Sequence, residues 1–205
     1  MPAVAARRVL RVPPSRTGTP FLQGSRVLLR PLTISDLSGP YARWLNDYEV
    51  TRFLETGAFP TTKQSLERYF HQVAQQPDNV LLAIIERATS THIGNIKLGP
   101  IHSIHRRADL GILVGEKRVW GRGYGGEAIE LMLAYGFDRL NLHKITLRVY
   151  ANHHAAVKLY QKLGFIIEGT LQEQLFRDGT FHDKYVMGLL EQSYRTRRSA
   201  RAEAP

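Results

Sequence analysis

The chain contains no cysteine. Disulfides, a thiolate nucleophile and thiolate-ligated metal are thereby excluded, and nothing demands an oxidising compartment. A cytoplasmic location is the expectation. Also missing is any apolar run near the ~18 residues that a membrane-spanning helix needs, so no membrane partner is expected. Acids are scarce at both ends. Residues 1–20 carry Arg7, Arg8, Arg11 and Arg16 with no acid, and residues 191–205 carry Arg195, Arg197, Arg198 and Arg201 against Glu191 and Glu203. These ends hold most of the formal charge of +10, leaving only +4 for residues 21–190. They read as a basic N-terminal extension over 1–20 and a basic C-terminal tail over 191–205, both solvated. Nucleic acid is not the expected partner. The start has no apolar segment of secretory-signal length, and Pro13 and Pro14 break the amphipathic helix that a transit peptide needs.

What is present suits one folded unit. The chain has 205 residues, 43% of them apolar, enough to bury a core in a single domain, expected over 21–190. Val27–Leu32 reads as a strand closed by Pro31, and Thr33 with Asp36 opens a helix over 34–46 that Gly39-Pro40 should break or kink. A short helix is expected near Asp47–Glu49, and a cleaner one over 63–76, stopped by Pro77. Three runs follow at hairpin spacing, 80–85, 92–98 and 108–114, which predict an antiparallel meander. After Gly121 the order becomes helix, strand (144–150), helix (153–163, with Asn152 as its cap and Gly164 as its stop) and two final strands joined at Arg177-Asp178-Gly179-Thr180. The fold class is α/β in the α+β sense: one mostly antiparallel, splayed sheet flanked by helices, with one β-α-β crossover.

The densest signal is Trp120-Gly121-Arg122-Gly123-Tyr124-Gly125-Gly126-Glu127. Four glycines in six residues let backbone N–H groups turn onto an anion, and the helix that follows adds its unpaired N–H groups and dipole. A phosphate or pyrophosphate fits such a loop; without a ligand it reads as a short flexible connection. Gly121-x-Gly123-x-x-Gly126 matches the dinucleotide fingerprint literally, but three antiparallel strands precede it and position 141 is asparagine, where a ribose-binding acid is wanted. No lysine-serine or lysine-threonine pair closes the loop, which excludes a P-loop, and the remaining kinase motifs are lacking.

This loop, followed by helix, strand and Asn152-x-x-Ala155-Ala156-x-x-Leu159-Tyr160-x-Lys162-Leu163-Gly164-Phe165, resembles the GNAT superfamily of acetyl-CoA-dependent N-acetyltransferases. Within it the chain is most similar to the branch of ribosomal-protein N-terminal and spermidine-type acetyltransferases. The resemblance covers about 24–190 and is supported by Leu29–Leu32, Trp44–Asp47 and Glu168–Leu171. One departure is Trp120, where the wider superfamily has glutamine or arginine.

The resemblance implies direct transfer of an acetyl group from acetyl-CoA to a primary amine, with no covalent enzyme intermediate and no metal. It implies pyrophosphate on the backbone of Gly121, Arg122, Gly123, Tyr124, Gly125 and Gly126, and pantetheine along Ile112, Leu113 and Val114, facing Asn152 and Ala155. It implies Tyr160 as the acid that protonates the leaving thiolate; by spacing alone Tyr160 reads as core. For a base, Glu49, Asp47, Glu86 and Asp109 are all available, with Asp109 near the splay and Glu49 in the acceptor-lining region preferred. His153 and His154 are neighbours on a helix and cannot chelate one metal together. The acceptor is a small-molecule or peptide amine, and a homodimer is allowed. A mildly basic core disfavours a polycation such as spermidine. The competing reading is an acyl-CoA-binding or nucleic-acid-binding module on the same fold without turnover.

Overall fold

The computed structural model describes residues 19–74 and 76–202. The expected N-terminal extension lies outside the described residues except at 19 and 20, as do residues 203–205. The strands are β1 Leu22–Gln23, β2 Val27–Pro31, β3 Val80–Glu86, β4 Thr91–His102, β5 Arg107–Val114, β6 Lys144–Tyr150, β7 Ile166–Arg177 and β8 Thr180–Leu190. The helices are α1 Tyr41–Leu45, α2 Tyr48–Thr51, α3 Lys63–Ala74, α4 Tyr124–Ala134, α5 His154–Lys162 and α6 Glu191–Ala202.

The eight strands form one sheet in the order β1-β2-β3-β4-β5-β6-β8-β7. Every neighbouring pair is antiparallel except β5–β6. That parallel pair makes three rungs only, Arg107↔Lys144, Ala108↔Ile145 and Asp109↔Thr146. Beyond Asp109 the strands part: Leu110–Val114 stays with β4, while Leu147–Tyr150 stays with β8. The splay predicted between 108–114 and 144–150 is therefore present. The expected helix over 34–46 does break at Gly39-Pro40, into a 3-10 turn Ile34–Ser38 and then α1. At the β7–β8 tip, Asp178 and Gly179 take φ of 54° and 77°, the pair of left-handed residues a tight hairpin requires.

Apolar side chains alternate along the central strands and feed two cores. On one face Leu82, Ile84, Ile96 and Leu98 pack under α4 with Ile129, Met132 and Leu133; on the other, Ala83 and Ile85 pack under α1 and α3 with Tyr41, Trp44 and Leu66. Burial of each large side chain stabilises by roughly 1.5–3 kcal/mol.

The reading of 191–205 as a solvated tail is corrected for residues 191–202, which form α6. Tyr194 is buried and stacks on Phe137 at 4.8 Å, in the π-helical turn Tyr135–Arg139 that follows α4. Arg198 Nη1 lies 2.5 Å from Asp138 Oδ2 and Arg195 Nη1 lies 3.5 Å from Oδ1, while Arg197 pairs with Glu130. Much of the C-terminal charge is thus spent on the acids of the domain itself.

Candidate active site

The glycine loop leaves the end of β5. Trp120 turns back, its Nε1–H donating to the Val114 carbonyl at 2.8 Å. Gly121 and Gly123 take φ of 71° and 84°, and Gly123 is the residue from which α4 starts. In the first turn the N–H groups of Tyr124, Gly125 and Gly126 have no intrahelical acceptor. Gly125 and Gly126 lack side chains for a reason of space: a Cβ would sit 3.3 Å from Val114 at Gly125, and 3.2 Å from Leu159 at Gly126. The helix start thereby fits between β5 and α5.

A cavity of about 920 Å³ runs from this loop through the gap between β5 and β6. Its walls include Ile112, Leu113, Val114, Gly121, Gly123, Gly125, Gly126, Ala155 and Tyr160 from one side, and Tyr41, Glu49, Tyr69 and Asn95 from the α1–α3 side. A bare backbone cradle at a helix N-terminus, opening onto a long slot, fits the phosphates and arm of acetyl-CoA.

Two residues of the loop do not line the slot. Tyr124 points away and donates to Glu86 Oε1 at 2.7 Å, and Arg122 contributes its carbonyl to Arg26 at 2.6 Å. Glu86, one of the acids considered as a base, is also excluded from that role by its partners. It accepts from Arg118 at 2.5 Å, Thr89 at 2.5 Å and Tyr124, with the Arg118 guanidinium foremost in holding its carboxyl down to about 2. This knot ties the last residue of β3 to the first residue of α4. Its stabilisation is present above the ordinary carboxylate range and lost as pH falls toward 2. In urea titrations the stability gap between the parent and Glu86→Gln should therefore be full at pH 7 and shrink below about pH 4.5. A gap that does not change with pH overturns the assignment.

Asp109 is likewise corrected. It stands on the last paired rung of β5 and β6, where its carboxylate takes the Thr146 hydroxyl and, at 3.3 Å, Arg148. It staples the strands at the point where they part and does not line the cavity. The expected cap Asn152 is displaced by one residue. His153 is the N-cap of α5, and the Asn152 amide turns to His182 Nδ1 at 3.1 Å, away from the slot. Glu49 does line the cavity, with its carboxylate 2.6 Å from Lys117, which also holds Asp47 at 2.8 Å.

Tyr160 lies in α5 with its ring edge-on to Phe165 at 6.0 Å. Among the described residues its hydroxyl has no hydrogen-bond partner, and burial pushes the phenol up to about 12. Sequence reasoning missed His153 as a cavity residue. Its ring stacks on Phe53 at 4.0 Å and burial keeps it below the ordinary histidine range. The only advance signal was its place between a strand end and a helix start.

Among the described residues no His/Cys/Asp/Glu group is arranged to hold a metal, and no helix is long and apolar enough to cross a membrane.

Comparison with known proteins agrees with this geometry. The model for the acetyltransferase (GNAT) domain matches residues 26–166. The uncharacterized N-acetyltransferase YoaA of Bacillus subtilis is 29% identical over 174 residues, spanning 84% of this chain and 97% of that one. The spermidine N(1)-acetyltransferase of Escherichia coli K12 is 28% identical over 169 residues, spanning 82% of this chain and 88% of the relative. Among solved structures, spermidine N-acetyltransferase from Vibrio cholerae in complex with CoA and spermine superposes with a TM-score of 0.76 at 29% identity, covering 84% of this chain and 99% of the other. With its splayed sheet, glycine-headed α4 and slot, the chain belongs to the GNAT family and is an acetyl-CoA-dependent N-acetyltransferase that moves an acetyl group to an amine.

Proposed function

We propose that acetyl-CoA enters from the α4–α5 side and a primary amine from the α1–α3 side, so that the acetyl group passes directly between them in the gap beside Leu113 and Val114. The single observation carrying this reading is the cavity whose walls come from both faces of the sheet. The N–H groups at the head of α4 hold the pyrophosphate, and bare Ala155 leaves room for the arm. Tyr160 holds a proton for the departing thiolate. Burial that raises the phenol raises a thiol in the same slot as well, which keeps the two within range of proton exchange. For the ammonium proton, Glu49 and His153 are the wall residues to consider. Glu49 is committed to Lys117, so His153, neutral through burial, is the group free to accept.

The acceptor is the open question that the wall chemistry addresses. Relatives named above act on spermidine, but here Glu49 is the only carboxylate on the described wall, against Arg52, Lys97 and Arg148. Among the described residues, only Arg148 of these cations has an acidic partner, Asp109. A polycation meets like charge in this cavity. The test is a thiol-release screen with acetyl-CoA against short peptides, amino sugars, aminoglycosides, alkylamines and spermidine. The expected outcome is turnover of a singly charged or zwitterionic amine in preference to spermidine. Spermidine as the best acceptor overturns this assignment of substrate class.

A further inference from the structure

Asn46 closes a loop. Its amide donates to the Thr61 carbonyl at 2.8 Å and accepts from the Thr61 N–H at 2.8 Å, so residues 47–60 leave the fold and return at one neck. The inner side of this loop walls the cavity through Glu49, Val50, Arg52, Phe53, Leu54 and Thr56. Lys117 holds its near end at Asp47 and Glu49. Binding loops belong to the parts of a fold that open most readily, so whatever holds the far end shapes that wall.

The far end rests on the β7–β8 hairpin. β6 ends at Tyr150, opposite Lys184, and the hairpin runs on past it to the tip at Asp178 and Gly179. From Lys184 outward it meets the loop at three places, across 123 to 130 residues of sequence. Arg177 Nη2 donates to the Leu54 carbonyl at 2.8 Å. The Tyr48 hydroxyl donates to the Asp178 carboxylate, and the Lys184 ammonium pairs with Glu55. Of the three, the Arg177 bond is the partly buried one, and it grips backbone, so it fixes the chain itself. The neighbouring Phe53 ring stacks on His153 at 4.0 Å, so holding the Leu54 peptide also steadies the ring that meets His153. Among the described residues the hairpin gives no side chain to the cavity wall.

We propose that Arg177 is a positioning residue for the amine: through the Leu54 carbonyl it sets how close the loop stands to the gap between β5 and β6, and with Tyr48 it makes the hairpin tip the outer support of the acceptor wall. The proposal rests on the reading that the amine enters from the α1–α3 side. Arg177 acts on the substrate only through the loop it holds. A wall displaced by as little as ~1 Å no longer presents the amine in a reactive pose.

The experiment compares the parent chain with Tyr48→Phe, Arg177→Met, Arg177→Lys and the double variant Tyr48→Phe/Arg177→Met. Thiol release from acetyl-CoA is followed with alaninamide, glucosamine and isobutylamine, and the best of the three is used for full kinetics. The KM for that amine should rise on the order of fivefold in the double variant and less in Tyr48→Phe and Arg177→Met. Arg177→Lys, which keeps a charged donor, should stay near the parent. The kcat and the KM for acetyl-CoA should hold, while hydrogen exchange of the amides over 48–58 quickens in the same order of variants. An amine KM at the parent value in the double variant overturns the proposal and leaves the entry side standing. Should Arg177→Met fail to fold, Tyr48→Phe carries the test, because Tyr48 is exposed, and an unchanged amine KM there overturns the proposal equally. A rise in the KM for acetyl-CoA with that for the amine unchanged overturns both readings, because the loop would then wall the thioester end. Loss of both KM values and kcat together, with Arg177→Lys no better than Arg177→Met, reduces the contact to general structure and overturns the positioning role.

Discussion

Tyr160→Phe is expected to lower turnover by on the order of 10²–10⁴, with little change in the KM for acetyl-CoA. The substitution keeps the ring against Phe165 and removes only the hydroxyl, which has no other partner among the described residues. Its effect on folding should be small. The loss should therefore fall on the step in which the sulfur needs a proton, and steady-state kinetics separates this from a loss of binding. Tyr160→Ala serves as the contrast. It vacates the space beside Phe165 and should cost ~3–5 kcal/mol in stability, read by thermal or urea unfolding. A phenylalanine variant with full activity would reduce Tyr160 to a packing residue.

The second large effect concerns the loop. Gly123→Val should weaken acetyl-CoA binding by roughly an order of magnitude or more, measured by calorimetry on the folded variant. At φ 84° a branched residue is strained, and its Cβ would start 3.0 Å from the Arg26 guanidinium. The residue from which α4 starts must then move, taking with it the N–H groups proposed to hold the pyrophosphate. Gly125→Ala meets Val114 at 3.3 Å with an ordinary helical backbone, so its effect should be milder. Equal affinities in all three proteins would remove the loop from the binding site.

Local chemistry was legible in the sequence; contacts across strands were not. The meander over 80–114, the break at Gly39-Pro40, the Asp178-Gly179 turn and the glycine-headed α4 all follow from residue types acting on their immediate neighbours. Asn152 misled because capping preference does not fix the boundary to one residue, and the amide found His182, 30 residues away, instead. Glu86 and Asp109 were plausible bases until register was known. Only the fold brings Arg118 and Tyr124 to the one and Thr146 and Arg148 to the other. The α6 segment looked like tail because arginine dominates it; its anchors, Phe137 and Asp138, lie more than 50 residues upstream.

The gap between β5 and β6 also bears on how this enzyme could be blocked. If the two ligands enter from opposite faces as proposed, a slot with walls from both faces of the sheet would take a tethered molecule, with the pantetheine arm at one end and the acceptor skeleton at the other. Such a conjugate orders two ligands at the entropic cost of one, and each half raises the effective concentration of the other at its own wall. The useful variable is then the tether, which has to reach from the glycine cradle to the α1–α3 wall without slack.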